Sequence, residues 1–263
     1  MHILITGGTG FIGQALVPAL REDGHSLTIL TRQSLTSTEV SYVRSLDEVD
    51  APVEAVINLA GASLAGRRWN NRYKAEIVDS RIRTTRALGE FFERTGAAPA
   101  TWLNASAIGF YGPRDAEVID EQGAAGAGFS AGLCVDWEAA AREAAGDETR
   151  LCILRLGVVF DRGGGAYPQI AAPFRMGVAN WIGDGRQYLS WVHRSDVVAA
   201  MRHLLNGPDL AGVFNVTAPT PVTSRELCDA MKKVHRTVLT LPMPAPVMRL
   251  MVGEMADELL ITG

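Results

Sequence analysis

His2-Ile3-Leu4-Ile5-Thr6, running into Gly7-Gly8-Thr9-Gly10-Phe11-Ile12-Gly13 and then Gln14-Ala15-Leu16-Val17-Pro18-Ala19-Leu20, is the stretch that decides the fold. The first five residues form an apolar, β-branched run of strand length, and the last seven space their apolar positions along one face of a helix. Between them Gly8, Gly10 and Gly13 satisfy G-x-G-x-x-G. In that setting glycine lets the backbone turn sharply and approach a pyrophosphate, whose charge meets the unpaired amides at the start of the helix. The whole turn, Gly7, Gly8, Thr9, Gly10, Phe11, Ile12 and Gly13, is therefore expected to hold a dinucleotide.

The end of the second strand chooses which dinucleotide. Ser26 to Thr31 (SLTILT) reads as a strand, and Thr31 leads into Arg32 and Gln33 rather than an acidic residue. A carboxylate there would bind ribose hydroxyls, as NAD sites require, and would repel a 2′-phosphate. A guanidinium pairs with that phosphate through charge-assisted bonds. Thr31 and Arg32 thus favour NADP as cofactor.

Further along, strand and helix patterns alternate. AVINLAG (Ala55 to Gly61) is a strand, Trp69 to Thr95 a long helical pattern, TWLNASA (Thr101 to Ala107) a strand, DWEAAAREAAG a helix and RLCILRLGVVF a strand. Parallel neighbours need crossover helices, so the alternation predicts a doubly wound, parallel α/β sheet of the Rossmann type covered on both faces. Residues 1–160 are expected to form the dinucleotide-binding domain. Residues 161–263 are expected to form a small C-terminal, mainly substrate-side lobe, with segments near 188–216, GVFNVT among them, returning to the sheet.

Composition narrows the partners. With 25 basic and 29 acidic side chains the net charge is −4, which gives no field for gripping nucleic acid or an anionic membrane. No apolar run reaches membrane-spanning length, and MHILITGG lacks a basic leader region, so a cytoplasmic location is expected. Three scattered cysteines, Cys134, Cys152 and Cys228, suit neither a disulfide framework nor a zinc site, and the five histidines show no ligand spacing; no metal is expected. A small molecule is the expected partner, and nothing in the residues sets an oligomeric state.

These motifs together resemble the short-chain dehydrogenase/reductase superfamily in its extended, sugar-nucleotide epimerase-like branch: GGTGFIG, NLAG, SAIGFYG, RLGVVF and LSWVHRSDVV fall in the family's order. RRWN, YKAEIVDSRIRTT, DWEAAA, GGGA, PFRMG and GEMADELLITG resemble an atypical NAD(P)-dependent epimerase/dehydratase-type subgroup of uncertain function. That subgroup usually continues for a short segment beyond the position of Gly263. The resemblance implies that Asn58, Leu59, Ala60 and Gly61 line the cofactor's ribose path. It also implies a Ser/Tyr/Lys set in which a phenolate is the base and lysine lowers its pKa.

Here the chain departs from the family. None of Tyr42, Tyr73, Tyr111, Tyr167 or Tyr188 has Lys four residues later. Anchoring on Glu138 puts Cys134 at the lysine position and Ser130 at the tyrosine position; anchoring on Tyr111-Gly112 puts Ala107 at the serine position, next to Ser106. Arg81 falls where extended members usually carry Asn. Ser106, Tyr111 and Arg81 are therefore the catalytic candidates, two hydroxyls for a substrate and one positive charge. The alternatives are a surface charge for Arg81, whose helix also carries Arg83 and Arg86, and loop packing for Tyr111. His193 is expected to cap the following helix, Trp69, Trp137 and Trp191 to be core or pocket wall, and Cys134 to lack a local cation. The implied function is an NADP-dependent oxidoreductase or epimerase-like activity on a small, possibly nucleotide-linked substrate; the alternative is a catalytically inactive NADP-binding sensor or regulatory protein.

Overall fold

The computed structural model describes residues 1–50 and 52–258. Its centre is β1 (His2–Thr6), an apolar strand buried on both faces and paired in parallel with β2 (Ser26–Leu30) on one side. Beyond β2 lies β3 (Ser41–Val43). On the other side come β4 (Ala55–Asn58), β5 (Thr101–Ala107), β6 (Arg150–Leu156) and an edge strand at Gly212–Val216, all parallel. The order reverses between β1 and β4, and the register pairs Thr6 with both Leu30 and Asn58. Three strand ends therefore stop level, leaving a crevice at the reversal, where such sheets bind ligands.

Helices cover both faces because Ile3, Leu4, Ile5, Val56 and Ile57 are all fully buried. α1 (Gly13–Glu22) and the helix Arg194–Asn206 pack Leu16, Leu20, Val197 and Met201 onto one face. α2 (Asn71–Thr95) and α3 (Phe129–Ala145) cover the other, with Leu88, Phe92 and Ala145 against Leu4, Val56 and Trp102. α2 runs unbroken through Gly89, where a Cβ would lie 2.8 Å from that of Ala144 on α3; the glycine permits the close helix contact.

RLCILRLGVVF is not one strand. Leu156 ends β6, and Val158–Asp161 leaves the main sheet to pair with Trp191–His193 in parallel and Gly164–Gly165 antiparallel. The break falls at Gly157, where a Cβ would crowd the Ser190 carbonyl oxygen at 2.9 Å. Tyr188–Leu189 pairs with Val222–Thr223, and Val178–Ile182 with Leu239–Met243, around a small core of Ala171, Phe174, Ala179, Cys228 and Met231. Among the described residues no helix is long and apolar enough to cross a membrane, and no cluster of His, Cys, Asp and Glu side chains could hold a metal ion.

Candidate functional site

The glycine turn sits at the carboxyl end of β1, beside the reversal of strand order. Space demands glycine there. A Cβ on Gly7, whose φ is +70°, would lie 2.5 Å from the Leu59 carbonyl oxygen; on Gly8, 2.8 Å from the Ile29 side chain; on Gly13, 2.5 Å from the Gly8 Cα. Gly10 differs, since a Cβ there meets only the Gly7 carbonyl oxygen, at 3.1 Å. Gly7, Gly8 and Gly13 close the turn, and Gly10 keeps an approach to it open. The Gly10 amide donates to the Gly7 carbonyl and the Thr9 carbonyl accepts from Gln14 Nε2, while the amides of Phe11, Ile12 and Gly13 have no acceptor among the described residues. No acidic residue occupies the first turn of α1. Unpaired amides at a positive helix end, with no competing carboxylate, match a pyrophosphate, so these residues fit a dinucleotide.

On the adenine side Thr31 Oγ1 accepts from the Gln33 amide at 3.2 Å, and Arg32 lies exposed beyond β2 without an ion pair among the described residues. On the other side of β1, Asn58 is wholly buried. It accepts from Thr6 Oγ1 (2.6 Å) and donates to Thr85 Oγ1 (2.8 Å) and Asn104 Oδ1 (2.7 Å), and the Ala60 amide donates to both Asn58 and Thr6. Asn58 thus holds the Leu59–Gly61 segment in place, with its own side chain turned into the protein.

Farther along the sheet edge stands Arg81. Its guanidinium carbon would be 2.8 Å from a Cβ on Gly61. Nη1 donates to the carbonyls of Ala62 (3.1 Å) and Ile77 (3.0 Å), and the group lies 5.1 Å from the centroid of Trp137. No carboxylate pairs with it among the described residues, and burial lowers its pKa from the ordinary arginine value. Beside it on α3 is Cys134, whose thiol burial pushes up to about 11 even though Arg81 works in the opposite direction. The cation that local sequence did not offer comes from α2, yet desolvation dominates and Cys134 stays a neutral thiol. One turn earlier Ser130 is only 8% exposed, and its hydroxyl has no hydrogen-bond partner.

Ser106 and Tyr111 are placed differently from what the sequence suggests. Ser106 Oγ donates to Glu138 Oε1 at 2.8 Å; Tyr111 OH donates to Asn215 Oδ1 at 2.7 Å and accepts from Arg155 Nη1 at 2.9 Å. Both hydroxyls face a network centred on the Glu138–Arg155 pair, bidentate at 2.8 and 2.9 Å, with the Arg155 guanidinium 3.4 Å from the Phe110 ring centroid. Burial would raise the Glu138 carboxyl, but the bonds from Arg155 and Ser106 hold it below its ordinary value. The network fixes Ile108–Tyr111 against α3 and β6, which makes Ser106 and Tyr111 supports of the site wall.

Two further devices escaped the sequence reading. Arg194 pairs with Asp161 (3.0 Å), donates to the Phe11 carbonyl (3.2 Å) and lies over the Phe11 ring, fastening the glycine turn to the start of the helix packed beside α1. Its neighbour His193 caps the helix it begins, accepting from the Ser195 amide, as expected. Near the end of the described chain Glu258 accepts from the amides of Phe129 and Ser130, both at 3.1 Å, and so caps α3 where Gly128 offers no side chain. Glu254 pairs with Lys74, and Met255 joins Trp69, Tyr73, Ile77 and Leu133. A signal existed for Arg155 alone, a charge at mid-strand in an otherwise apolar run.

The chain matches the model of the NAD dependent epimerase/dehydratase family over residues 3–217. It is 38% identical over 266 residues to Epimerase family protein MT2273 from Mycobacterium tuberculosis, covering 99% of this chain and 88% of that protein. It is 33% identical over 270 residues to Epimerase family protein SDR39U1 from Homo sapiens, covering 100% and 90%. The crystal structure of human epimerase family protein SDR39U1 (isoform2) with NADPH superposes with a TM-score of 0.88 at 32% identity, over 100% of this chain and 90% of that one. UDP-glucuronic acid 4-epimerase from Bacillus cereus, at 17% identity and a TM-score of 0.77 over 93% and 86%, shares the fold.

Proposed function

The chain belongs to the NAD dependent epimerase/dehydratase family, and on that premise we propose that it binds NADP(H) along the carboxyl edge of its sheet and acts on a small substrate as a cytoplasmic oxidoreductase or epimerase-like enzyme. One observation carries the reading: a turn with no room for side chains at Gly7, Gly8 and Gly13 stands next to a strand end bearing the unpaired Arg32. That the human relative was crystallised with NADPH supports the same choice of cofactor.

When bound, the cofactor supplies hydride exchange at its nicotinamide ring. The turn amides hold the pyrophosphate, Arg32 takes the 2′-phosphate and Leu59, Ala60 and Gly61 line the ribose path. Arg81 and Cys134, beyond the Leu59–Gly61 segment on the side away from Arg32, would flank the nicotinamide end. Residues 1–160 carry the cofactor, and residues after 160 supply the substrate side, apart from the helix Arg194–Asn206 and the strand Gly212–Val216, which belong to the main sheet layer. A second reading, an NADP-binding sensor without chemistry, is favoured by one observation: Ser106 and Tyr111 are committed to Glu138, Arg155 and Asn215, and no Tyr-x-x-x-Lys exists.

The test is titration of NADPH and NADH into the wild type and Arg32→Ala. NADPH should bind at least about tenfold more tightly than NADH, about 1.4 kcal/mol, and Arg32→Ala should remove most of that margin. Equal affinities in the wild type would overturn the assignment. Single-turnover oxidation of bound NADPH across aldehydes, ketones and sugar nucleotides separates the enzyme from the sensor.

A further inference from the structure

Arg81 is a half-buried cation without a counter-ion. Of its five N–H donors only those on Nη1 are engaged, both with backbone carbonyls, which leaves Nε and Nη2 without an acceptor among the described residues. Its surroundings hold no carboxylate among the described residues: the Trp137 face, the Cys134 thiol and the Tyr73 hydroxyl. A guanidinium removed from water without a carboxylate is costly, and the cost is recovered only when an anion arrives. Gly61 lies over the face of the guanidinium, where a side chain would press on it.

We infer that Arg81 is the docking group for a carboxylate on the substrate, placed next to the carbon that exchanges hydride. This deepens the proposed function and rests on it for the position of the nicotinamide. The cofactor does not account for the cation: the negative charges of NADP(H) are its pyrophosphate and 2′-phosphate, and the glycine turn and Arg32 meet those at the other end. A single positive charge matches a monoanion, and the free Nε–Nη2 edge has the planar, two-pronged geometry that suits a carboxylate. A phosphate dianion would leave one negative charge unmatched there. With the carbon that exchanges hydride next to the docked carboxylate, short 2-oxo or 2-hydroxy acids, or sugars carrying an acid group, are the class of substrate.

The test uses oxamate as a redox-inert carboxylate probe, with acetamide and inorganic phosphate as comparisons, titrated calorimetrically with and without saturating NADPH. Wild type is expected to bind oxamate in preference to both comparisons. Arg81→Gln should weaken oxamate at least about tenfold, with Arg81→Lys, which keeps the charge and loses the fork, in between. NADPH affinity of Arg81→Gln should stay within about threefold of wild type, because no phosphate is met by this residue. Oxamate binding that is absent in wild type, weaker than that of phosphate, or unchanged in Arg81→Gln would overturn the inference, as would a tenfold loss of NADPH in that variant. If Arg81→Gln fails to fold, unchanged oxamate affinity in Arg81→Lys decides against it. Failure of wild type to bind NADPH would instead sink the cofactor reading, while Arg81-dependent oxamate binding without cofactor would leave the carboxylate site standing.

Discussion

Exchanging Gly13 and Gly10 for alanine, one at a time, separates a glycine the fold needs from one the ligand needs. At Gly13 the new methyl would lie 2.5 Å from the Gly8 Cα, and backbone cannot rotate away as a side chain can. We expect a cost of about 3 kcal/mol, the upper end for overpacking. In a chain of this size that lowers the melting temperature by roughly 6–12 °C. At Gly10 the methyl meets only the Gly7 carbonyl oxygen at 3.1 Å, and φ is not positive, so the fold should shift by less than about 1 kcal/mol. The methyl does enter the space left for a pyrophosphate. Two charge-assisted bonds lost at about 1.5 kcal/mol each make about 3 kcal/mol, or roughly a hundredfold in NADPH affinity. Thermal melts by circular dichroism report the first effect, and titration of NADPH fluorescence reports the second. A folded Gly10→Ala protein that binds NADPH as wild type does would refute the placement of the phosphates, and a Gly13→Ala protein that melts like wild type would refute the packing argument.

Arg155→Met should destabilise the chain by about 3 kcal/mol, because it removes the bidentate partner of the buried Glu138 carboxylate and leaves only the Ser106 hydroxyl and Arg142, at 3.3 Å, to hold it. In wild type the lowered Glu138 pKa contributes stability above the ordinary carboxyl pKa that is lost as pH falls through the folded value; in the variant that pH dependence of the melting temperature should shrink, because only Ser106 and Arg142 then oppose the desolvation of the carboxylate. Cys134 should resist iodoacetamide in the native protein at pH 8 and react only as the pH climbs towards 11, as followed by mass spectrometry; fast labelling at pH 7 would contradict the neutral thiol.

The central sheet was legible because its strands are short apolar runs ending in small residues, and the glycine spacing carries its own steric reason. The break at Gly157 was hidden because the force acting there, the approach of the Ser190 carbonyl, comes from 33 positions away, at the junction of two later strands. Side-chain direction was recoverable in part. Alternation puts Ser106 on the same strand face as Trp102 and Asn104, and Trp102 packs against α2, so that face is the one α2 and α3 cover. Partners could not be recovered: Arg155 announces that some acid must be near, but only the packing of α3 across β5 and β6 makes it Glu138. Arg194 and Glu258 look like ordinary surface charges in one dimension, and their roles depend on the helix that Arg194 begins packing beside α1 and on the last described segment meeting α3.

The fastening of the phosphate turn also has a history in time. The turn is complete once thirteen residues exist, yet the Arg194 that holds the Phe11 carbonyl lies 183 positions later. At about 5–20 residues per second of synthesis, that is roughly 10–40 s during which the turn is held by local bonds alone. A growing chain thus displays a nearly finished glycine turn long before its latch arrives, and the latch is set only when the helix that Arg194 begins packs beside α1.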